Sequence, residues 1–170
     1  GLVTEVFNAE NLRSLSGDMA IGHVHYTVGN KTGIENIQPF LFHHYTGDFA
    51  ICHNGSVVNS NELRRFLEDQ GSIFQSTSDS EILAHLIKRE QPTAITVNVI
   101  LEALNKLEGA FAYLIMTRDK LYCCRDKHGL RPLSIGTLGS GYVVSSETCV
   151  FEVTGAKYLR DVEPGEVVVL

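Results

Sequence analysis

The sequence predicts an α+β fold in which mostly antiparallel sheets are covered by a helical layer. Three observations predict it: strand-like segments before residue 58, consecutive helical patterns between residues 59 and 107, and period-two apolar segments after Gly109. Strands and helices are thus segregated along the chain, which argues against a doubly wound parallel sheet. At 170 residues the chain is long enough for a single domain with a substantial core.

The first 42 residues are predicted to form short elements. Residues 2–7 fit a short strand or the start of a helix, and residues 8–15 fit a short helix. Residues 19–26 alternate partly between apolar and polar side chains and predict a strand, which is followed by a glycine-containing loop over residues 27–35. Residues 36–42 lead into a further strand.

A hairpin turn predicted at residues 45–48 leads into an apolar run over residues 49–52, which stops at Asn54-Gly55. Because Asn and Gly tolerate positive φ, the local sequence favours a plain turn here. A second interpretation is that the turn aims the Asn54 side-chain amide and the Gly55 backbone N–H at one point. Two such donors would suit a developing oxyanion.

Three helices are predicted next. The first covers residues 59–70, with Asn59 or Ser60 as its N-cap, and the second opens at residues 77–81. The third, over residues 96–107, carries an apolar stripe with helical spacing. These helices would form the layer that covers the sheet.

Asp79 lies at the opening of the second predicted helix. A carboxylate there stabilises the positive end of the helix dipole, and this alone would explain the residue. Alternatively, Asp79 faces the Asn54-Gly55 segment and holds an ammonium group. The residue pattern leaves both interpretations open.

The last third of the chain changes to period two. Strands are predicted at residues 110–117, 121–125, 133–136, 142–145 and 167–170, with a helical turn at residues 148–153. In the loop between the second and third of these strands, Arg131 is expected to pair with Asp126 in a structural role.

Composition excludes several classes of function. The net charge of -6 argues against a nucleic-acid partner, and no apolar run is long enough to span a membrane. The four cysteines form no C-x-x-C pair, which favours reduced, buried thiols and a cytoplasmic protein. His23 and His25 would share one face of a strand, but without a third ligand at a suitable spacing no metal site is predicted.

Taken in order, the motifs resemble the glutaminase domain of class II glutamine amidotransferases of the N-terminal-nucleophile hydrolase type, and among them the amidophosphoribosyltransferase family. H-N-G alone is a weak signal, whereas the ordered set is specific and runs through nearly the whole chain. Its segments are G-L-V-T-E-V-F from Gly1, I-G-H-V-x-Y from Ile21, E-N-I-Q-P-F from Glu35, H-N-G from His53, S-T-S-D-S-E from Ser76, E-G-A-F-A-Y from Glu108, D-K-H-G-L-R-P-L-S-I-G from Asp126, S-S-E-T-C from Ser145 and R-D-V-E-P-G-E from Arg160.

The resemblance implies a four-layer αββα sandwich. In the family, an N-terminal Cys attacks the side-chain amide of glutamine, with the chain's own α-amino group as base. The ammonia released passes to a phosphoribosyltransferase domain and reacts with phosphoribosyl pyrophosphate, the first committed step of purine synthesis. Asn54 and Gly55 match the oxyanion-hole pair, and Asp79 matches the residue that binds the glutamine α-ammonium.

The sequence departs from the family pattern in three ways. No cysteine matches the nucleophile, so residues 1–170 are expected to be one amidotransferase domain that lacks its first strand and is inactive alone. His25 stands where the family has an Arg that binds the substrate carboxylate, and a neutral imidazole replaces that cation poorly. Val28 stands where the family usually has a small hydroxyl residue.

The expected partners are L-glutamine and a phosphoribosyltransferase domain that this chain lacks, with a homo-oligomer in the full-length protein. No cofactor is expected in this segment, while the resemblance implies Mg²⁺ for the phosphoribosyltransferase domain and leaves an iron–sulfur cluster open. The departures at His25 and Val28 keep an alternative open, a diverged, non-catalytic binding domain on the same scaffold. A third alternative is another class II amidotransferase, against which E-N-I-Q-P-F and D-V-E-P-G-E argue.

Overall fold

A computed structural model describes residues 3–25, 33–90 and 94–170. Its strands form two antiparallel sheets. Sheet A has the order β1-β2-β3-β4-β8 and consists of Phe40–Phe42 (β1), Phe49–Val57 (β2), Gly109–Met116 (β3), Leu121–Arg125 (β4) and Val167–Val169 (β8). Sheet B has the order β6-β5-β7 and consists of Ser134–Leu138 (β5), Gly141–Ser145 (β6) and Lys157–Asp161 (β7).

Two of the described α-helices have a side-chain N-cap, in which the oxygen of a short polar side chain accepts from N–H groups of the first turn. The Asn8 side chain accepts from the N–H groups of Glu10 and Asn11, and Thr96 accepts from that of Val99. The described helices are Val3–Val6 (α1), Ala9–Ser14 (α2), Ser60–Asp69 (α3), Ile82–Glu90 (α4), Val97–Leu104 (α5) and Cys149–Thr154 (α6), with 3-10 turns at Ile34–Asn36 and Asp79–Glu81.

Side-chain alternation in sheet A divides the core into two layers. Ile51 and Tyr113 face helices α3–α5 in the larger apolar cluster. Ala112 and Cys123 face the opposite way and pack with Ile135 of sheet B. On the outer face of sheet B, a Cβ added to Gly136 would lie 2.8 Å from the ring of Phe151 in α6. The layers are therefore helix, sheet, sheet and helix, which confirms the predicted αββα sandwich.

Most predicted elements are confirmed, but the strand predicted at residues 19–26 is wrong. Residues 19–25 have no regular secondary structure, and Tyr26 lies outside the described residues, as does Val28. This segment pairs with no strand of either sheet, and it meets β2 through a long contact of 3.9 Å between Cys52 Sγ and the Gly22 carbonyl. Strand β7 was not predicted, because its mostly exposed side chains lack an apolar alternation.

One predicted side-chain role is confirmed only in its position, and another is wrong. Asn59 occupies the N-cap position of α3 as predicted, but its side chain makes no capping hydrogen bond and instead bonds the Lys106 carbonyl and the Glu108 N–H. Asp126 does not take the Arg131 guanidinium as its partner. Its carboxylate accepts backbone N–H groups of Phe111, His128, Leu130 and Arg131, and these bonds outweigh the effect of burial and lower its pKa.

Candidate active site

Asn54 and Gly55 lie inside strand β2, so the predicted turn is wrong. Asn54 pairs with Ala112 and Gly55 with Phe111 across the β2–β3 ladder. Gly55 has a φ of 144°, and a Cβ at this position would lie 2.0 Å from the Ala110 carbonyl oxygen. The glycine therefore lets β3 approach closely and the strand continue, whereas a larger residue would force the two strands apart.

The Gly55 N–H is left without an acceptor among the described residues. Successive N–H groups of a strand point to opposite edges, so those of His53, Gly55 and Val57 share one edge of β2. Strand β1 ends opposite Ile51 and does not reach Gly55. On the other edge, the N–H and carbonyl of Phe111 both bond Asp126. A half-buried backbone donor is thus available to a ligand.

The side chain of Asn54 points the other way, toward sheet B. It lines a cavity of about 430 Å³ together with His23, Cys52 and Ser146. Its Nδ2 donates a long hydrogen bond of 3.5 Å to Ser146 Oγ. The amide is therefore only weakly held within the protein, and a second donor lies one residue from the Gly55 N–H.

Asp79 lies on the same edge of β2 as the Gly55 N–H. Its Oδ2 accepts from the Val57 N–H at 2.8 Å, and its Oδ1 accepts no hydrogen bond from the residues described. The N-cap of the 3-10 turn is Ser78, whose side chain bonds the Ser80 N–H. The carboxylate of Asp79 therefore joins the turn to β2, with one oxygen left for a cation, and does more than stabilise a helix dipole.

The loop before Asp79 is fixed by a carboxylate that the sequence analysis did not single out. Glu81 is 1% exposed and accepts from the Gln75 N–H and from both the N–H and the hydroxyl of Ser76, at 2.6–2.9 Å. Burial alone would raise the pKa of Glu81. Hydrogen bonds from His85, Ser76 and Gln75 outweigh burial and lower that pKa to about 2. Arg64 Nη2 also donates to two carbonyls of this loop, those of Ser76 and Ser78.

The histidines predicted to share a face do lie side by side, although not on a strand. The ring centroids of His23 and His25 are 5.9 Å apart, and His23 lines the cavity beside Asn54. Burial, and secondarily the neighbouring His25, lower the pKa of His23. His25 is exposed. Over the described ranges, no group of three or more His, Cys, Asp or Glu side chains could hold a metal ion.

The three buried cysteines do not have the properties of an activated nucleophile. Burial raises the pKa of Cys52 to about 11 and that of Cys123 to about 12, and it also raises the pKa of Cys124 well above its ordinary value. Cys52 borders the cavity, but with such a pKa only about 1 in 10,000 molecules would carry the thiolate at pH 7. Cys149 is exposed on α6, contrary to the expectation of a buried thiol.

This arrangement agrees with comparisons to known proteins. A family profile described as glutamine amidotransferase domain matches residues 27–152. The chain belongs to this family. It is 50% identical over 171 residues to the amidophosphoribosyltransferase of Bacillus subtilis (strain 168), and 44% identical over 172 residues to that of Staphylococcus aureus (strain Mu50). The matches cover all of this chain but 36% and 35% of the two relatives, so the chain spans about a third of their length.

Solved structures agree with the family assignment. The B. subtilis glutamine phosphoribosylpyrophosphate amidotransferase complexed with ADP and GMP has a TM-score of 0.90 at 51% identity. A structure described as the allosteric regulatory enzyme of purine biosynthesis has a TM-score of 0.92, also at 51% identity. Each match covers 99% of this chain and 36% of the other. In the described part of the chain, every helix is too short or too polar to cross a membrane.

Proposed function

We propose that the chain is the glutaminase domain of an amidophosphoribosyltransferase, and that it supplies ammonia to a phosphoribosyltransferase domain elsewhere in a longer cytoplasmic protein. The observation that carries the proposal is the Gly55 N–H, which has no acceptor within residues 3–25, 33–90 and 94–170. It lies beside the Asn54 amide and on the same strand edge as the Asp79 carboxylate. Together these groups offer two donors for an oxyanion and one anion for an ammonium group. Glutamine carries both an amide that forms an oxyanion and an α-ammonium.

The proposed reaction converts glutamine and water into glutamate and ammonia. A cysteine thiolate adds to the side-chain carbonyl carbon, and Asn54 Nδ2 and the Gly55 N–H stabilise the oxyanion that forms. The C–N bond then breaks as the nitrogen takes up a proton, which releases ammonia and leaves a thioester that water hydrolyses. Asp79 Oδ1 holds the α-ammonium throughout.

The nucleophile is proposed to be the N-terminal cysteine of the longer protein. The buried thiols of Cys52, Cys123 and Cys124 do not fit the task, because burial disfavours their thiolates. An α-amino group, with an ordinary pKa of about 7.7–8.0, suits the role of base near neutral pH. The Mg²⁺ and iron–sulfur cluster of the resemblance find no suitable ligand set among the described residues, so no step is routed through them. A homo-oligomer stays a prediction.

The test is Asn54→Ala in the full-length protein, with glutamine-dependent and ammonia-dependent formation of phosphoribosylamine measured side by side. Removal of one oxyanion donor is expected to lower kcat with glutamine about 100–1,000-fold. The ammonia-dependent rate is expected to stay within about twofold, because that reaction bypasses the glutaminase site. Asn98→Ala, an exposed position on α5, is the matched control and should change neither rate. The isolated 170-residue chain should hydrolyse no glutamine.

A second function is favoured by one observation, the exposed imidazole of His25 where the resemblance implies an arginine. On this view the domain binds a regulatory ligand or a partner and has lost glutamine hydrolysis. A wild-type protein that uses ammonia but not glutamine would support it and refute the glutaminase proposal. Tight glutamine binding by calorimetry would count against it.

A further inference from the structure

Ser80 lies at the centre of a buried hydrogen-bond network on the helical side of β2. Its Oγ accepts from Gln38 Nε2 at 3.1 Å and from Ser78 Oγ at 3.0 Å, and lies 2.8 Å from His53 Nδ1. Ser80 is 1% exposed, His53 4% and Gln38 7%. Positions 38, 53 and 80 come from three separate segments, so the network joins parts of the chain that lie far apart in sequence.

His53 joins this network through its ring. His53 Nδ1 and Ser80 Oγ share one hydrogen bond of 2.8 Å, and the tautomer of the ring decides which of the two donates. Burial lowers the pKa of His53 to about 4, so the ring is neutral near pH 7. Nε2 has no partner among the described residues. A buried polar atom without a partner is destabilising, so stability alone would favour an apolar side chain here.

The same network brackets the Gly55 N–H. Gln38 Oε1 accepts from the His53 N–H at 2.7 Å, and Asp79 Oδ2 accepts from the Val57 N–H at 2.8 Å. The N–H groups on either side of Gly55 along this edge are therefore both bonded to side chains. Ser80 connects the two, because it bonds Gln38 and directly follows Asp79 in the chain.

We propose that Ser80, Gln38 and His53 are positioning residues, which set the spacing between the Gly55 N–H and the Asp79 carboxylate. Glutamine held by its α-ammonium at Asp79 then presents its side-chain amide to the oxyanion donors in the reactive orientation. The network itself touches no substrate and acts through Gly55 and Asp79. This inference rests on the proposed function, because the spacing matters only if both groups bind the same glutamine molecule.

The test is Ser80→Ala in the full-length protein. Removal of the hydroxyl leaves Gln38 and His53 without their shared partner, and displacement of a reacting group by about 1 Å can lower a rate about 100-fold. We expect kcat/KM for glutamine to fall about 10–100-fold, with a lower kcat and a higher KM, while the ammonia-dependent rate changes less than about twofold. Ser80→Thr keeps the hydroxyl and should recover most of the loss.

Ser134→Ala is the matched control. Ser134 is 3% exposed and donates to Asp161 Oδ1 at 2.6 Å in sheet B, away from Gly55 and Asp79. It should lower the free energy of unfolding in urea about as much as Ser80→Ala does, and leave kcat/KM for glutamine unchanged. Equal losses of kcat/KM in the two variants would overturn the proposal, because both would then reflect stability alone.

A second variant covers the case in which Ser80→Ala does not fold. Gln38→Met keeps the volume of the side chain but removes both of its hydrogen bonds. An unchanged kcat/KM for glutamine in this variant would overturn the proposed positioning role of the network. Failure of the proposed function itself has a different signature. In that case the wild type uses only ammonia, and Asn54→Ala changes nothing.

Discussion

The Asp79 end of the candidate site and its His25 end are held in opposite ways. Asp79 follows a loop whose backbone and hydroxyl groups are bonded to the buried carboxylate of Glu81, and its own carboxylate bonds β2. His25 is exposed, lies in a segment without regular secondary structure, and has the ring of His23 as its described neighbour. One end is fixed by many short hydrogen bonds and the other by few.

This difference indicates which part of glutamine recognition the fold builds in advance. The proposed ammonium and oxyanion groups are positioned by backbone and buried side chains, so they need little rearrangement when a ligand binds. The proposed carboxylate contact depends on one exposed imidazole. Changes at the Asp79 end should therefore affect stability and rate together, whereas changes at the His25 end should affect affinity alone.

The largest effect is expected for Glu81→Gln, which removes the buried carboxylate that holds the loop at the Asp79 end of the site. The pKa of Glu81 is about 2 in the folded chain against an ordinary 4.5, and this difference corresponds to about 3 kcal/mol of stability. Because the folded pKa is the lower one, this stability is fully present above pH 4.5 and is lost as the pH falls toward 2. Urea unfolding should be measured at pH 7 and at pH 3.5. The free energy of unfolding of the wild type should fall between these two pH values, and that of the variant should fall less.

Glu62→Gln provides the control for this prediction, because Glu62 is an exposed carboxylate in the first turn of α3. A surface substitution of this kind usually changes stability by less than about 0.5 kcal/mol. If Glu81→Gln were as mild as Glu62→Gln at pH 7, the loop before Asp79 would not depend on the buried carboxylate.

An intermediate effect is expected for His25→Arg, which should strengthen the proposed carboxylate contact at the His25 end of the site. A guanidinium is permanently charged and can bond a carboxylate through two parallel N–H groups, so we expect the KM for glutamine to fall about tenfold. The kcat should change little, because the contact is the same in the ground state and the transition state. His43→Arg is the control, since His43 is also exposed and pairs with Asp48. An unchanged KM in His25→Arg would remove His25 from the site.

Local periodicity was sufficient to predict mostly antiparallel sheets covered by helices, whereas the four layers came from the family resemblance. The apolar alternation after Gly109 became β3 and β4. Asn54-Gly55 shows where local reasoning fails. The dipeptide favours a turn in isolation. In the structure, Gly55 is needed because it has no Cβ and the Ala110 carbonyl can therefore lie close to it, a contact that no local pattern reveals.

The supports of the site could not be predicted for the same reason. The partners of Ser80 are 42 and 27 residues away along the chain, at Gln38 and His53. A histidine, a glutamine and a serine at such separations carry no spacing rule, and each alone resembles an ordinary polar residue. The residue pattern singled out Asp79, Asn54 and Gly55 but left their roles open. The family resemblance chose between those roles, and it reports the groups proposed to touch substrate but not the residues that position them.

The smallest effect is expected for Tyr113→Phe, which tests whether the buried Tyr113 hydroxyl beside the His53 network lacks a hydrogen-bond partner. The Tyr113 hydroxyl is buried without a hydrogen-bond partner among the described residues, while its ring stacks on His53 with centroids 4.2 Å apart. Removal of the hydroxyl keeps the stacking and relieves the unpaired group, so we expect unfolding in urea to show no loss of stability and a gain of up to about 1 kcal/mol. Tyr122→Phe is the matched control, because the Tyr122 hydroxyl donates to the Ile95 carbonyl at 2.9 Å and its loss should destabilise by about 1 kcal/mol. Destabilisation of similar size in both variants would mean that the Tyr113 hydroxyl has a partner, and that the polar network around His53 extends further than the contacts described above.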